Sequence, residues 1–575
     1  MRFPASCVLM ASVAVASASS GWLLAAQPAQ GQAAAPQAAS RDAIPARTGT
    51  AVLRGRVVAA ATGLAIRRAY VRISSPALRE PRTISTDESG RFEFGRLPAG
   101  RYTVAVGKNG YVGLEFGQRT PFENGRPIDL ADGQTVDRAD VFLPRASAIA
   151  GTVIDDLGEP AASIWVWALR TQYFEGRRQL VPTGSMATTD DIGQFRLYGL
   201  APGTYFLRAQ AASPIVTSRS DEGPFFGDTY YPGALLAADA QPITVRVGQE
   251  RLNITIPLVV ARMARLSGVA SDTRGRPLAG GQVSLGQSFR RPSGGSGVSS
   301  YGASAARVEP DGRFTIPNVA PGEWDLRINS RDPKTDAPES ASLSVVVTGE
   351  DIDGLMLVTS PGATIKGRIV CEGDETPPFP PRGVRLWFAE LGPASYGGTS
   401  TIHEDWSFDV TAVRTGGRVL RLQGLPNGWA LKAAYAGDDE ITDQPMEIRG
   451  GRDISDVRVV ITNRPTEVTG TVSDERGQAI TEYAIVVFPA DAARWSFQSR
   501  FLASVRSDQH GQYLVSGLPP GEYLAVALEY LEEGQGADPE FLKTIEPVAT
   551  AFTLADGERR ALNLKLTRIG SGNER

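Results

Sequence analysis

The stretch DESGRFEFGRLPAGRYTVAV, residues 87–106, decides the reading of this chain. Asp87 and Gly90 mark a turn: Asp bonds local backbone, and Gly accepts a positive φ that other residues resist. Phe92 and Phe94 then alternate with charged residues, which is the period of a half-buried strand. Pro98, Ala99 and Gly100 interrupt the strand, with the neighbouring Pro-Gly pairs suited to the centre of a type II turn. Tyr102, Val104 and Val106 resume the alternation. The stretch therefore predicts two strands folded into a β-hairpin.

Working outward, the same order of signals recurs. Asp190 to Phe195, Asp311 to Phe314 and Asp508 to Tyr513 repeat the first turn, and Asp405-Trp406-Ser407-Phe408 is a worn copy. Leu200 to Tyr205, Val319 to Trp324 and Leu518 to Tyr523 repeat the second; Leu425 to Trp429 is read as its fourth copy, after an insertion. Upstream of each pair stands Gly-x-Val or a close variant, beginning at Gly55, Gly151, Gly268, Gly367 and Gly470. Each unit ends on a Gly turn and an alternating strand, as in Gly248-Gln249 before Ile254 and Ile256. Self-similarity at this period marks a repeat architecture. Many short strands and almost no helical periodicity make it all-β, a row of five tandem β-sandwich domains.

The expected organisation is a signal peptide over 1–31, an Ala/Gln/Pro-rich linker over 32–48, repeats at 49–144, 145–261, 262–360, 361–463 and 464–568, and a tail at 569–575. The signal reading rests on Arg2, the apolar run from Cys7 to Ala18 with Trp22, Leu23 and Leu24, and small residues for cleavage after Ala26 or Gly31. A single membrane anchor is the competing reading of that segment; no transmembrane span is expected in the mature chain. Removing the signal leaves Cys371 alone, so each core must hold without disulfides. Linkers between repeats are very short, which predicts a stiff string.

These motifs together resemble the carboxypeptidase regulatory-like domain family. The resemblance spans nearly all of residues 50–568 and implies a prealbumin-like, Ig-like seven-stranded sandwich, close to the Cna-B and carbohydrate-binding-like folds. It implies fold, not ligand. In peptidases such domains are accessory, so no peptidase activity is implied. Cna-B relatives imply a possible Lys–Asn crosslink, for which only Lys366 and Asn463 stand in suitable places.

The chain of 575 residues has 42% hydrophobic and 21% charged residues, a globular balance, and its net charge of -4 gives no basic field for nucleic acid. Only two histidines, His403 and His510, are available, in different repeats, too few for a zinc peptidase site or a Ser-His-Asp triad. Asp190 and Asp191 lack the spacing of a calcium loop and read as turn formers. No cofactor, metal site or catalytic residue is nominated.

Repeat two differs from its siblings. Strand parity places Ala69, Val71 and Ile73 inward in repeat one, with Tyr70 and Arg72 outward; Gln282 and Ser284 are outward in repeat three. The same outward positions in repeat two are Trp165 and Trp167. With Tyr173 and an insert containing Phe225, Phe226, Tyr230 and Tyr231, they form a candidate aromatic platform for a sugar ring or a partner chain. The competing reading has the insert, or a neighbouring repeat, cover the two Trp. The expected function is an exported, non-catalytic binding or scaffold protein, secreted, periplasmic or on the cell surface. Its partner would be a polysaccharide or a cell-surface protein. The alternatives are a carbohydrate-binding protein using the repeat-two aromatics, and a glycosidase-type enzyme hidden in an insert.

Overall fold

The computed structural model describes residues 49–174, 176–211, 226–290, 298–331, 338–373, 375–390, 399–496 and 499–568. The expected signal peptide, linker and tail lie outside them. The described chain is all-β, with short 3-10 turns and one α-helix, Pro539–Ile545. Buried apolar side chains gather into clusters drawn from successive stretches of the chain, one for each copy of the motif set and a second in the last copy.

Repeat one shows the plan. One sheet holds Ala51–Ala59 between Arg91–Leu97 and the closing strand segments Thr135–Val136 and Val141–Leu143. The facing sheet holds Arg82–Ser85, Tyr70–Ser74 and Gly100–Gly107, with Leu114–Glu115 and Ile128–Leu130 at its other edge. Parity is as expected: Ala69, Val71 and Ile73 are fully buried and Tyr70 is 54% exposed. The first strand runs antiparallel to Arg91–Leu97 and parallel to the closing strand. In repeat three the two sheets join into one seven-stranded sheet through the pairs Glu339 with Pro361 and Ser340 with Ser360.

The glycine of Gly-x-Val is explained by the closing strand. A Cβ on Gly55 would lie 2.3 Å from the Ala139 carbonyl oxygen and 2.7 Å from Phe92 Cζ. At Gly151, Gly268, Gly367 and Gly470 the closing-strand carbonyls of Ile254, Leu355, Val457 and Leu562 come to 1.8–2.1 Å. In three repeats a left-handed residue, Asn253, Gly354 or Asp456, bulges the closing strand just before that carbonyl and presses it onto the glycine.

The Asp turns form as read. Asp87 Oδ1 accepts from the amides of Ser89 and Arg91 at 2.9 and 2.8 Å, and Asp190 and Asp508 repeat the pattern. The glycines that follow are left-handed, with φ of 71°, 70°, 90° and 74° at Gly90, Gly193, Gly312 and Gly511. In repeat four Trp406 takes that conformation at φ 65° and is buried.

The Pro-Gly corner differs from expectation in two respects. It does not close a hairpin. Arg91–Leu97 pairs with the first strand, whereas Gly100–Gly107 pairs with Tyr70–Ser74 in the other sheet. The segment is an arch between layers, made where a strand bulges and leaves its ladder. The left-handed residue also sits earlier than a type II turn requires: Arg96, Gly199, Asn318, Ala412 and Gly517 each precede the Leu or Val of the motif. The aromatic then locks the arch. Tyr102, Tyr205 and Tyr523 donate from Oη to the carbonyl four residues back, Pro98, Ala201 and Pro519, at 2.6–2.7 Å, and Trp324 Nε1 donates to Ala320 at 2.9 Å.

This geometry corrects the reading of repeat four. Ala363 pairs with Val413 as Ala51 pairs with Leu97, so the arch is Val413 to Arg418. Trp406 and Gly416 are ten residues apart, as in the siblings, and no insertion separates them. Arg418 replaces the aromatic and donates from Nε to the Arg414 carbonyl, again four residues back, at 3.3 Å. Leu425 to Trp429 forms a later turn, with Trp429 and Trp406 both edge-on to Phe379. Lys366 is exposed and lies 3.7 Å from Asp409, and Asn463 is exposed, so neither is in the buried setting a crosslink requires.

Two outcomes follow. Gly55→Ala is expected to destabilise repeat one by about 1–3 kcal/mol through overpacking against fixed backbone, while Gly95→Ala, which faces open space, changes it by less than about 0.5 kcal/mol. Repeat-resolved hydrogen exchange of the full chain reads both. Burial also pushes the Tyr205 hydroxyl up to about 12, and Tyr483, Tyr513 and Tyr523 upward still further. Unfolded tyrosines ionise near pH ~10. Above that pH the folded state retains protons that the unfolded state releases, so stability falls as pH rises from about 10 to 12 and is intact below about 9. The denaturation midpoint, followed with tyrosinate absorbance, checks this.

Candidate functional site

The aromatic candidates of repeat two are divided among three surroundings. Val166 and Ala168 point into the repeat-two core, so Trp165 and Trp167 occupy the opposite face, as parity requires. They do not form an exposed platform. Trp167 is only 6% exposed and Trp165 is half-buried. Thr229–Tyr230 adds a strand beside Gly203–Ala211, bringing Tyr230 opposite Arg208, which in turn lies opposite Trp167. Arg208 is 2% exposed, its guanidinium 6.0 Å from the Trp167 ring centre and 3.5 Å from Asp228. Burial raises the Asp228 carboxyl and the Tyr230 hydroxyl above their ordinary values, with Arg208 opposing both shifts.

Phe226 and Tyr231 turn the other way and pack against the core of repeat two. Phe226 also bridges to Val260, and Thr229 Oγ1 accepts from the Val259 amide at 3.1 Å, so the insert is tied to the closing segment of its own repeat. Tyr173 lies against repeat five: its carbonyl oxygen is 2.6 Å from where a Cβ on Gly534 would be. Phe225 lies outside the described residues. The structure thus brings Trp165, Trp167 and Tyr230 together and separates them from Phe226, Tyr231 and Tyr173.

A contact not anticipated from sequence forms between distant repeats. Segment 529–549 of repeat five includes the helix Pro539–Ile545, capped by Asp538. Leu542 and Ile545 pack on Ala484, Val486 and Phe488, so the strand Ala484–Pro489 is buried on both faces. The uninterrupted apolar run AIVVF at 484–488 was its sequence signal. The start of this insert docks on repeat one, with the Glu533 amide donating to the Phe122 carbonyl at 2.8 Å and Arg119 to the Glu529 carbonyl at 2.7 Å.

Buried charge secures the contact. Arg506 of repeat five meets Glu123 of repeat one at 2.5 Å, the side chains 3% and 0% exposed. Glu123 also accepts the backbone amides of Arg119 and Thr120, while Arg506 donates to the Gly117 carbonyl at 3.2 Å. Arg126, nearly buried, reaches Glu482 at 3.0 Å and the Asp508 carbonyl at 2.5 Å. Desolvation lowers its pKa, and Glu482 opposes that effect. Gln509 exchanges two hydrogen bonds with the backbone of Asp129, at 3.1 and 2.8 Å. Arg170 of repeat two stacks 3.5 Å from the Phe122 ring centre and pairs with Glu532 at 3.2 Å. Repeats one, two and five therefore meet, and a cleft of about 330 Å³ remains between them.

Among the described residues, no group of three or more His, Cys, Asp or Glu is arranged to hold a metal ion, and no helix is long and apolar enough to cross a membrane. His403 lies 2.8 Å from Asp409, and the His510 amide is tied into the Asp508 turn.

Fold and contacts define a multi-sandwich protein whose repeats each place the first strand antiparallel to the strand after the Asp turn and parallel to the closing strand. Residues 52–144 match the family model of the carboxypeptidase regulatory-like domain. Comparison with curated protein sequences finds no match. Among solved structures, a streptococcal ancillary pilin is 12% identical, covering 54% of this chain and 99% of its own, at a TM-score of 0.19. The minor pilin of Streptococcus agalactiae is also 12% identical, covering 37% and 97%, at 0.19. The major pilin subunit of Bacillus cereus is 10% identical, covering 54% and 99%, at 0.14.

Glu123→Gln is expected to leave Arg506 buried without its counter-charge and to weaken docking of repeat five by about 3–5 kcal/mol; replacing both residues by Leu costs much less. Cross-linking between repeats one and five, with exchange at the Phe122 to Glu533 hydrogen bond, reads the difference. Equal behaviour of single and double variants would remove the pair from the clamp.

Proposed function

We propose that the chain is an exported, non-catalytic scaffold and binding protein of the cell envelope or extracellular space, with a polysaccharide or cell-surface protein as partner. The observation that carries this reading is the buried charge network. Two desolvated arginines and a fully buried glutamate hold repeats one and five at one mutual position. Burying charge is costly, and its best-attested return is a unique arrangement. A fixed arrangement of sandwiches suits a protein that presents surfaces. The N-terminal run from Cys7 to Ala18 supports export.

A second reading, carbohydrate binding, is favoured by the cleft between repeats one, two and five rather than by an open face on repeat two. Trp165, half-buried, remains the outward aromatic of that face with the most direct claim to a ligand.

Cell fractionation with intact-mass analysis tests the proposal. The mature protein is expected in the envelope or medium, shortened by cleavage after Ala26 or Gly31. A full-length chain confined to the cytoplasm would overturn it.

A further inference from the structure

The cleft at the junction has a consistent chemistry. Repeat one contributes Pro121 and Phe122; repeat two contributes Gln172, Pro182, Thr183, Ser185 and Tyr205; repeat five contributes Glu532 and Glu533. Every hydroxyl on this lining already donates to the protein. Thr183 donates to the Ala168 carbonyl at 3.0 Å, Ser185 to Tyr198 at 3.2 Å and Tyr205 to Ala201 at 2.7 Å. What Thr183 and Ser185 can still offer a ligand is lone pairs. The two carboxylates add acceptors. Apart from the Gln172 amide, which can donate or accept, the lining is thus rich in acceptors and poor in side-chain donors, so it suits a ligand rich in donors.

Flat apolar surface alternates with these acceptors, from Pro121, Phe122 and Pro182. A sugar ring matches both features, with hydroxyl donors around its rim and C–H groups on its faces. The volume of about 330 Å³ is at the small end of ligand pockets, the scale of a short oligosaccharide rather than a polymer groove. The charges differ in availability. Glu532 is paired with Arg170, while Glu533 makes no ion pair among the described residues and is exposed. One free carboxylate beside an acceptor-rich wall selects a ligand with a positive charge.

We propose that this cleft binds a saccharide unit bearing a free amine, with Glu533 facing the ammonium and Gln172, Thr183 and Ser185 accepting from hydroxyls. The cleft is preformed, because Arg170 on Phe122, the Glu533 amide on the Phe122 carbonyl and Tyr173 against Gly534 fix its walls. The proposal rests on the reading of the chain as a binding protein.

Calorimetry on the full mature chain tests it with three probes: a glucosamine tetramer, its fully N-acetylated counterpart and maltotetraose. The expected result is at least tenfold tighter binding of the free-amine tetramer. Glu533→Gln should abolish that preference, and Thr183→Trp and Ser185→Trp, two independent plugs, should each reduce binding at least tenfold. Circular dichroism melts confirm that each variant is folded. Absence of binding to the free-amine tetramer, equal affinity for the acetylated one, or affinities unchanged in all three variants would overturn the assignment. Fractionation is measured separately, so a chain that is exported but does not bind the tetramer rejects the cleft and not the scaffold.

Discussion

Each repeat depends on one close approach: a closing-strand carbonyl seated on a glycine of the first strand. The first strand must serve two partners, antiparallel on one side and parallel on the other. A parallel neighbour cannot be reached by a tight turn, so the chain must cross both layers before it returns. The bulge that delivers the carbonyl also brings the first and last strands into register. Parallel pairing of those two strands places the entry and exit of a repeat at opposite ends of the sandwich. The next repeat can then begin within a few residues, and little linker is needed.

The arch between layers is the second constraint. It works because a donor returns to the carbonyl four residues earlier, closing a local loop that would otherwise leave that carbonyl buried and unpaired. The requirement is for a buried donor, not for an aromatic ring. Arg418 meets it with a guanidinium in repeat four, where the siblings use a phenol or an indole. That substitution explains part of why repeat four looks divergent in sequence while its first strand keeps the shared partners; the strand Thr399–Ile402 does change sheets, pairing with Ser407–Val413 where its counterpart in repeat one pairs with Tyr70–Ser74.

Much of this was legible. Asp and Gly at fixed spacing place the turns, and alternation assigns Ala69, Val71 and Ile73 to the core. Three features were not. Two strands that follow one another can pair together or lie in opposite sheets, and Pro-Gly between them is compatible with either. Parity assigns Trp165 and Trp167 to a face but cannot say what covers that face: Arg208 lies opposite Trp167 on the neighbouring strand, and Tyr230 joins them only because the insert adds a strand. Contact between residues separated by more than 380 positions, such as Glu123 and Arg506, leaves no local pattern. The apolar run at 484–488 did carry a signal, since a strand buried on both faces needs a cover on its outer side.

The clamp and the cleft have the same origin. Sandwiches are convex, and three of them meeting around Phe122 cannot fill the space between their rims. The contacts that hold repeats one, two and five together therefore also shape the gap. Its walls belong to three separate cores, so no single repeat contains the site. A molecule seated there would touch all three, and by linkage its binding would strengthen the contact between repeats one and five. The ion pairs set where the repeats meet, and the acceptors left on their rims set what the gap can hold. The cleft is in that sense a property of how the repeats are assembled, and only secondarily of the sandwich they share.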